Sequence, residues 1–103
     1  MYKPLPHFSM PAFRQQPVDL VLDVRTKMEF FLGGLQGAQN LPVDQLPEAL
    51  EARPDVPKDA KILVYCAGGV RSAQAAAALQ RAGYTSVVDG GGLNAAYAEF
   101  QPD

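Results

Sequence analysis

The chain has 103 residues, a formal net charge of −2 at pH 7 and a sequence pI near 5.2. Hydrophobic residues make up 48% and charged residues 19%, a composition typical of a globular protein rather than a disordered segment. This length predicts a single domain over residues 1–103. The acidic balance argues against nucleic acid as the main partner, and no apolar run approaches membrane-spanning length.

The cysteine and histidine counts limit the chemistry further. Cys66 is the only cysteine, so the chain cannot form an internal disulfide, and a reducing cytoplasm is the expected location. The first six residues lack the apolar stretch of a signal peptide. His7 is the only histidine and lies in a proline-rich segment, where we expect a surface position. We therefore expect no metal site and no cofactor.

The first half of the chain predicts short strands and helices. Residues 18–24 are rich in Val and Leu and predict a strand. Thr26 and Glu29 have the spacing of a capping box for a helix over 27–32. At the end of this strand we expect Asp23 and Arg25 to form a buried or half-buried pair. The helix should end at Gly33-Gly34. The segments expected after it are an extended piece at 37–42, a helix with Pro47 in its first turn, and a linker at 54–59.

The second half continues the alternation. The expected segments are a strand at 62–65, a helix at 72–82 ended by Gly83, a strand at 85–88, a turn at Gly90-Gly91-Gly92 and a closing helix at 93–100. Strands that alternate with helices predict an α/β fold, with a small parallel sheet flanked by helices on both faces. Ligands of such sheets bind at the carboxyl ends of the strands, which is where Cys66 falls.

Residues 66–72 hold the most informative motif of the chain. The run is Cys66-Ala67-Gly68-Gly69-Val70-Arg71-Ser72. A glycine-rich turn can direct several N–H groups at an anion, the following helix adds the positive end of its dipole, and Arg71 adds a full charge. Together they favour a reactive thiolate, so we interpret the run as a catalytic loop. The competing interpretations are a buried inert cysteine and an arginine that serves as a cap or a surface ion pair.

These residues resemble the rhodanese family of single-domain type. Four pieces match in the family's order, within a stretch from about Phe8 to Phe100: residues 22–25, residues 29–42, the loop 66–72, and residues 83–84 leading to 91–93. The sequence departs from the family pattern at three places. Gly34 stands where the family usually has histidine, Ala96 and Tyr97 stand where it has tryptophan, and Ala67 stands where many thiosulfate-using members have arginine.

The resemblance implies sulfur transfer. Cys66 as a thiolate would take the outer sulfur of a small sulfur-containing anion such as thiosulfate, and the resulting persulfide would pass it to a small thiol, cyanide or a protein thiol. The main-chain amides of Ala67, Gly68, Gly69, Val70 and Ser72 would stabilise the sulfur anion. Arg71 would hold the anionic part of the donor.

Two other functions stay open at this point. One is a sulfur carrier or regulatory module that docks to a partner protein. The other is a cysteine phosphatase or arsenate reductase, but such loops have five residues between cysteine and arginine, whereas four separate Cys66 from Arg71. The shorter loop suits one sulfur atom better than a phosphate group.

Overall fold

The computed structural model describes residues 10–103, so His7, Phe8 and the segment before them lie outside the described residues. Within the described part no helix is long and apolar enough to cross a membrane. The elements in chain order are β1 Ala12–Phe13, β2 Gln16–Pro17, β3 Leu20–Asp23, α1 Lys27–Phe31, β4 Gln39–Asn40, a 3-10 helix Val43–Gln45, α2 Glu48–Glu51, β5 Lys61–Cys66, α3 Val70–Arg81, β6 Ser86–Gly92, α4 Leu93–Glu99 and β7 Phe100–Gln101.

The principal sheet has four strands in the order β4-β3-β5-β6, and each neighbouring pair is parallel. Strand β5 lies in the interior of the sheet, with Val64 opposite Leu22 of β3 and Ile62 opposite Val87 of β6. A second, small antiparallel sheet joins β2, β1 and β7. The α/β prediction with a small parallel sheet is therefore confirmed.

Helices cover the principal sheet on both faces, because side chains alternate along β5. Ile62, Val64 and Cys66 point to one face and pack with α2 and α3; Leu63 and Tyr65 point to the other and pack with α4. The first face is completed by Leu20, Leu22, Val24, Leu46, Leu50, Ala75, Ala76 and Leu79. The second is completed by Phe13, Val18, Val21, Leu35 and Ala96.

A buried ion pair fixes the end of β3. The Arg25 Nη2 donates to Asp23 Oδ2 at 2.6 Å, and a second bond runs from Arg25 Nε to Asp23 Oδ1 at 3.0 Å. Both residues are buried, and Arg25 also donates to the carbonyl of Gly33. The pair thus ties the strand end to the residues after α1, as the sequence predicts. A Cβ at Gly34 would lie 2.8 Å from Tyr65 Oη, so this packing leaves no space for a side chain there.

The prediction of a turn at Gly90-Gly91-Gly92 is wrong. These residues are the end of β6, which pairs Val64 with Asp89 and Cys66 with Gly92. Two residues of β6, Gly90 and Gly91, therefore lie opposite the single residue Tyr65 of β5, which makes this a β-bulge. Gly91 takes a φ of +78°, which a residue with a side chain rarely adopts.

Two helix boundaries also differ from the sequence prediction. Helix α3 begins at Val70, two residues before the predicted start, because the glycine turn itself supplies the N-cap at Gly69. The helix after Pro47 has only the four residues Glu48–Glu51. The capping box is confirmed: Glu29 N donates to Thr26 Oγ1, and Thr26 N donates to Glu29 Oε1.

Arg25→Ala is expected to lower the free energy of unfolding by about 3–5 kcal/mol, because it leaves the carboxylate of Asp23 buried without its partner. Urea denaturation followed by far-UV circular dichroism measures the change. Arg53→Ala is the matched control, since it breaks an exposed pair with Asp55 and should move the midpoint far less. Equal shifts in the two variants would contradict the role of burial.

Candidate active site

Cys66 ends β5, at the carboxyl edge of the parallel sheet, and its residue is 1% exposed. The chain then turns through Gly68 and Gly69 into α3. Gly69 has a φ of +106°, in the left-handed region that favours glycine, and this turn brings its N–H back towards the cysteine. The local sequence therefore places the thiol at the N-terminus of a helix of 12 residues.

The Cys66 sulfur is held by hydrogen bonds from the loop. Gly69 N donates to Cys66 Sγ at 2.9 Å. Burial by itself raises the pKa of the Cys66 thiol, but hydrogen bonds from the Ser72 hydroxyl and from the amides of Ser72, Gly69 and Gly68 outweigh it, so the pKa is lowered. One amide of the expected cradle, that of Gly69, thus donates to the sulfur, and the binding role of the whole loop stays a prediction.

Ser72 is fully buried, and its hydroxyl has two acceptors within reach. Ser72 Oγ lies 3.0 Å from the carbonyl oxygen of Gly69, to which it donates. The same hydroxyl also helps to lower the pKa of the Cys66 thiol, because it can donate to the thiolate. A hydroxyl carries one proton, so it donates to only one of the two acceptors at a time.

Strand β6 supports the loop from behind. A Cβ at Gly92 would lie 2.6 Å from the carbonyl oxygen of Ala67 and 3.2 Å from the Cα of Gly68. The same carbonyl accepts a hydrogen bond from Leu93 N at 3.3 Å. The glycines that follow the bulge thus let β6 lie directly against the cysteine loop, and this is why the strand must lack side chains here.

Arg71 is directed at α1. Its Nη1 and Nη2 donate to Glu29 Oε1 and Oε2 at 2.7 and 3.0 Å. The hydrogen bond to Glu29 and the charge of Glu29 raise the pKa of Arg71 against the opposing effect of burial, and the Cys66 thiolate adds a smaller increase. Its catalytic role stays a prediction, and sequence reasoning missed Glu29, which signals only a helix cap.

The other residues of the predicted loop divide into two groups. Gly69 donates its amide to Cys66 Sγ at 2.9 Å, and the amides of Gly68 and Ser72 help to lower the pKa of the thiol. Ala67 uses its carbonyl to hold Leu93, and Val70 is 72% exposed at the start of α3. Of the predicted loop residues, Gly68, Gly69 and Ser72 therefore act on the thiol, whereas Ala67 and Val70 have other surroundings.

A parallel α/β sheet with a cysteine loop at its carboxyl edge defines the class of the protein. The profile of the rhodanese-like domain family matches residues 11–98. The chain therefore belongs to the rhodanese-like domain family, as the sequence motifs predict.

Curated relatives are longer proteins. The tRNA uridine(34) hydroxylase of Bdellovibrio bacteriovorus is 36% identical over 80 residues, which cover 73% of this chain and 23% of that protein. The chain thus spans about a quarter of the length of the curated relatives it matches.

Solved structures of similar size share the fold. A rhodanese from E. coli, solved with anions, has 30% identity and a TM-score of 0.68, with 82% of this chain and 98% of that chain covered. The human single-domain sulfurtransferase TSTD1 has 27% identity and a TM-score of 0.58, with 68% of this chain and 72% of that chain covered.

Ser72→Ala is expected to raise the pKa of the Cys66 thiol, because the thiolate loses the hydrogen bond from the hydroxyl. Thiolate absorbance in the ultraviolet, titrated against pH, reports Cys66 alone since the chain has no other cysteine. Arg71→Ala should raise the pKa less, because its guanidinium is paired with Glu29 and hydrogen bonds dominate the shift. A larger shift in Arg71→Ala would contradict this ranking.

Gly92→Ala is expected to slow alkylation of Cys66 by iodoacetamide at neutral pH, because the new methyl group displaces the Ala67 carbonyl and the amides that follow it. Gly68→Ala is the control within the loop, since a Cβ there meets nothing within 4 Å. The expected order of alkylation rates is wild type close to Gly68→Ala, with Gly92→Ala slowest. An unchanged rate in Gly92→Ala would show that β6 does not support the loop.

Proposed function

We propose that this domain is a sulfurtransferase that carries a sulfane sulfur on Cys66 between a donor and a thiol or cyanide acceptor. The observation that carries the proposal is the hydrogen-bonded sulfur: Gly69 N lies 2.9 Å from Sγ, and the loop lowers the pKa of the thiol. The lowered pKa enlarges the thiolate fraction at neutral pH, and the thiolate is the nucleophile. Membership of the rhodanese-like family and the likeness to human TSTD1 support the same chemistry.

The reaction proceeds in two half-reactions. The Cys66 thiolate attacks the outer sulfur of the donor; in thiosulfate the S–S bond breaks and sulfite leaves with the bonding pair. The new persulfide ends in a sulfur anion, which the amides of Gly68, Gly69 and Ser72 stabilise. An acceptor thiolate or cyanide then attacks the terminal sulfur, and Cys66 leaves as a thiolate. Ping-pong kinetics follow from this order.

The size of the loop supports sulfur over phosphate as the group transferred. Four residues separate Cys66 from Arg71, and the guanidinium of Arg71 is directed at Glu29 rather than into the loop. A tetrahedral phosphate needs donors on several of its oxygens at once. A single additional sulfur needs only the amides that already face Sγ.

The names of the curated relatives suggest a context in tRNA modification, and that activity belongs to whole proteins of which this chain spans about a quarter. The net charge of −2 argues against RNA as the partner of this domain itself. A reducing cytoplasm suits the proposal, because it keeps the single thiol available.

Cys66→Ser is expected to abolish sulfur loading while the fold is retained, because the hydroxyl replaces the only thiol of the chain. Intact-protein mass spectrometry after incubation with thiosulfate or with an organic persulfide should show one added sulfur atom in the wild type and none in the variant. A reductant should remove the added sulfur. Loading of Cys66→Ser at the wild-type level would refute the assignment.

The same preparation separates the alternatives. Thiocyanate formation with cyanide at steady state identifies an enzyme, whereas loading without turnover identifies a carrier that needs a partner protein. Hydrolysis of an aryl phosphate without any sulfur loading would identify a phosphatase and overturn the proposal.

A further inference from the structure

Glu29 and Arg71 form an ion pair between α1 and the catalytic loop. The bond is bidentate, from both terminal nitrogens of Arg71 to both carboxylate oxygens of Glu29, at 2.7 and 3.0 Å. Their side chains are 34% and 31% exposed, so the pair is partly shielded from solvent. Because 42 residues separate the two, the contact is a feature of the fold rather than of the local sequence.

Thr26 also holds the carboxylate of Glu29 in position, independently of Arg71. Glu29 Oε1 accepts hydrogen bonds from Thr26 N at 2.9 Å and from Thr26 Oγ1 at 3.0 Å. The bond from Arg71, followed by that from the Thr26 amide, lowers the pKa of Glu29 to about 2. Glu29 is therefore ionised at neutral pH, where it remains paired with Arg71.

The Glu29–Arg71 pair reduces the positive charge that a sulfur donor encounters at the cysteine loop. Arg71 is the only cation among residues 66–72, and Ala67 is neutral. With its charge compensated by Glu29 and one N–H of each terminal nitrogen bound to that carboxylate, Arg71 offers little attraction to a doubly charged anion. Val70, the residue before Arg71, is exposed, and so are Met28 and Phe31 of α1 and Leu32 at its C-terminal cap.

We propose that Glu29 is a specificity-determining positioning residue that occupies Arg71 and thereby makes the site prefer sulfane-sulfur donors of low charge, such as a thiol persulfide, over dianionic thiosulfate. This inference rests on the proposed sulfur transfer and names the donor class for the same site. Glu29 acts through Arg71 and does not touch the sulfur.

The test compares two donors of the same shape and different charge. Thiosulfate is a dianion; methanethiosulfonate replaces one charged oxygen by a methyl group and is a monoanion. The rate constant for loading Cys66 is measured with each donor, and their ratio gives the charge preference. In Glu29→Gln the ratio of thiosulfate to methanethiosulfonate should rise about fivefold, the size expected for one unit of charge at a partly exposed site.

Glu29→Gln is the suitable variant because glutamine also completes a capping box and retains one acceptor for Arg71. Glu51→Gln is the matched control: it removes the same charge from a pair with Lys58, whose Nζ lies 2.7 Å from Ala82 O at the far end of α3. The control should leave the ratio unchanged. In the double variant Glu29→Gln/Arg71→Ala the gain should disappear, since the effect is exerted through Arg71.

A second measurement needs no variant. Loading of the wild type by thiosulfate should depend weakly on salt concentration, because the cation is already compensated; a steep fall with salt would show a free cation and overturn the inference. An unchanged ratio in Glu29→Gln, or a gain that persists without Arg71, would also overturn it while sulfur transfer stands. Failure of both donors and of organic persulfides to load the wild type would instead refute the proposed function.

Discussion

The hydrogen bond from the Gly69 amide to the Cys66 sulfur is the interaction on which the site depends. It requires β5 to end at the cysteine, the chain to pass through a left-handed glycine, and α3 to begin at once. It also requires β6 to lie close behind the loop, which the absence of a side chain at Gly92 permits. A neutral main chain can stabilise an anion here because several N–H dipoles are fixed in direction by elements of the core.

Two arginine–carboxylate pairs serve different purposes in this small molecule. The pair between Asp23 and Arg25 is buried and binds the end of β3 to the residues after α1, so its contribution is structural. The pair between Glu29 and Arg71 is partly exposed and joins α1 to the start of α3, beside the cysteine loop. Helix α1 has no buried residue, and polar bonds at its N-terminal half hold it to the loop region. The pair with Arg71 thus links this short helix directly to the cysteine loop.

The sequence predicted features whose causes are local. Strand β5, the turn through Gly69 and the capping box of α1 each follow from residues within a few positions of one another, and the structure has them all. The glycine run in β6 was predicted as a turn because its close contact is with Ala67, more than 20 positions away in the chain. The Glu29–Arg71 pair was missed for the same reason. The two-residue strands β1, β2 and β7 are too short to leave a pattern.

The near-complete burial of Cys66 limits how donor and acceptor can reach its sulfur. Both half-reactions of the proposed transfer use this one buried sulfur, because the chain has no second cysteine that could take over the transferred sulfur atom. Donor and acceptor must therefore reach the same sulfur atom one after the other. An abundant acceptor that dissociates slowly from the site would delay binding of the next donor, so the turnover rate of the proposed reaction depends on how quickly each of them dissociates.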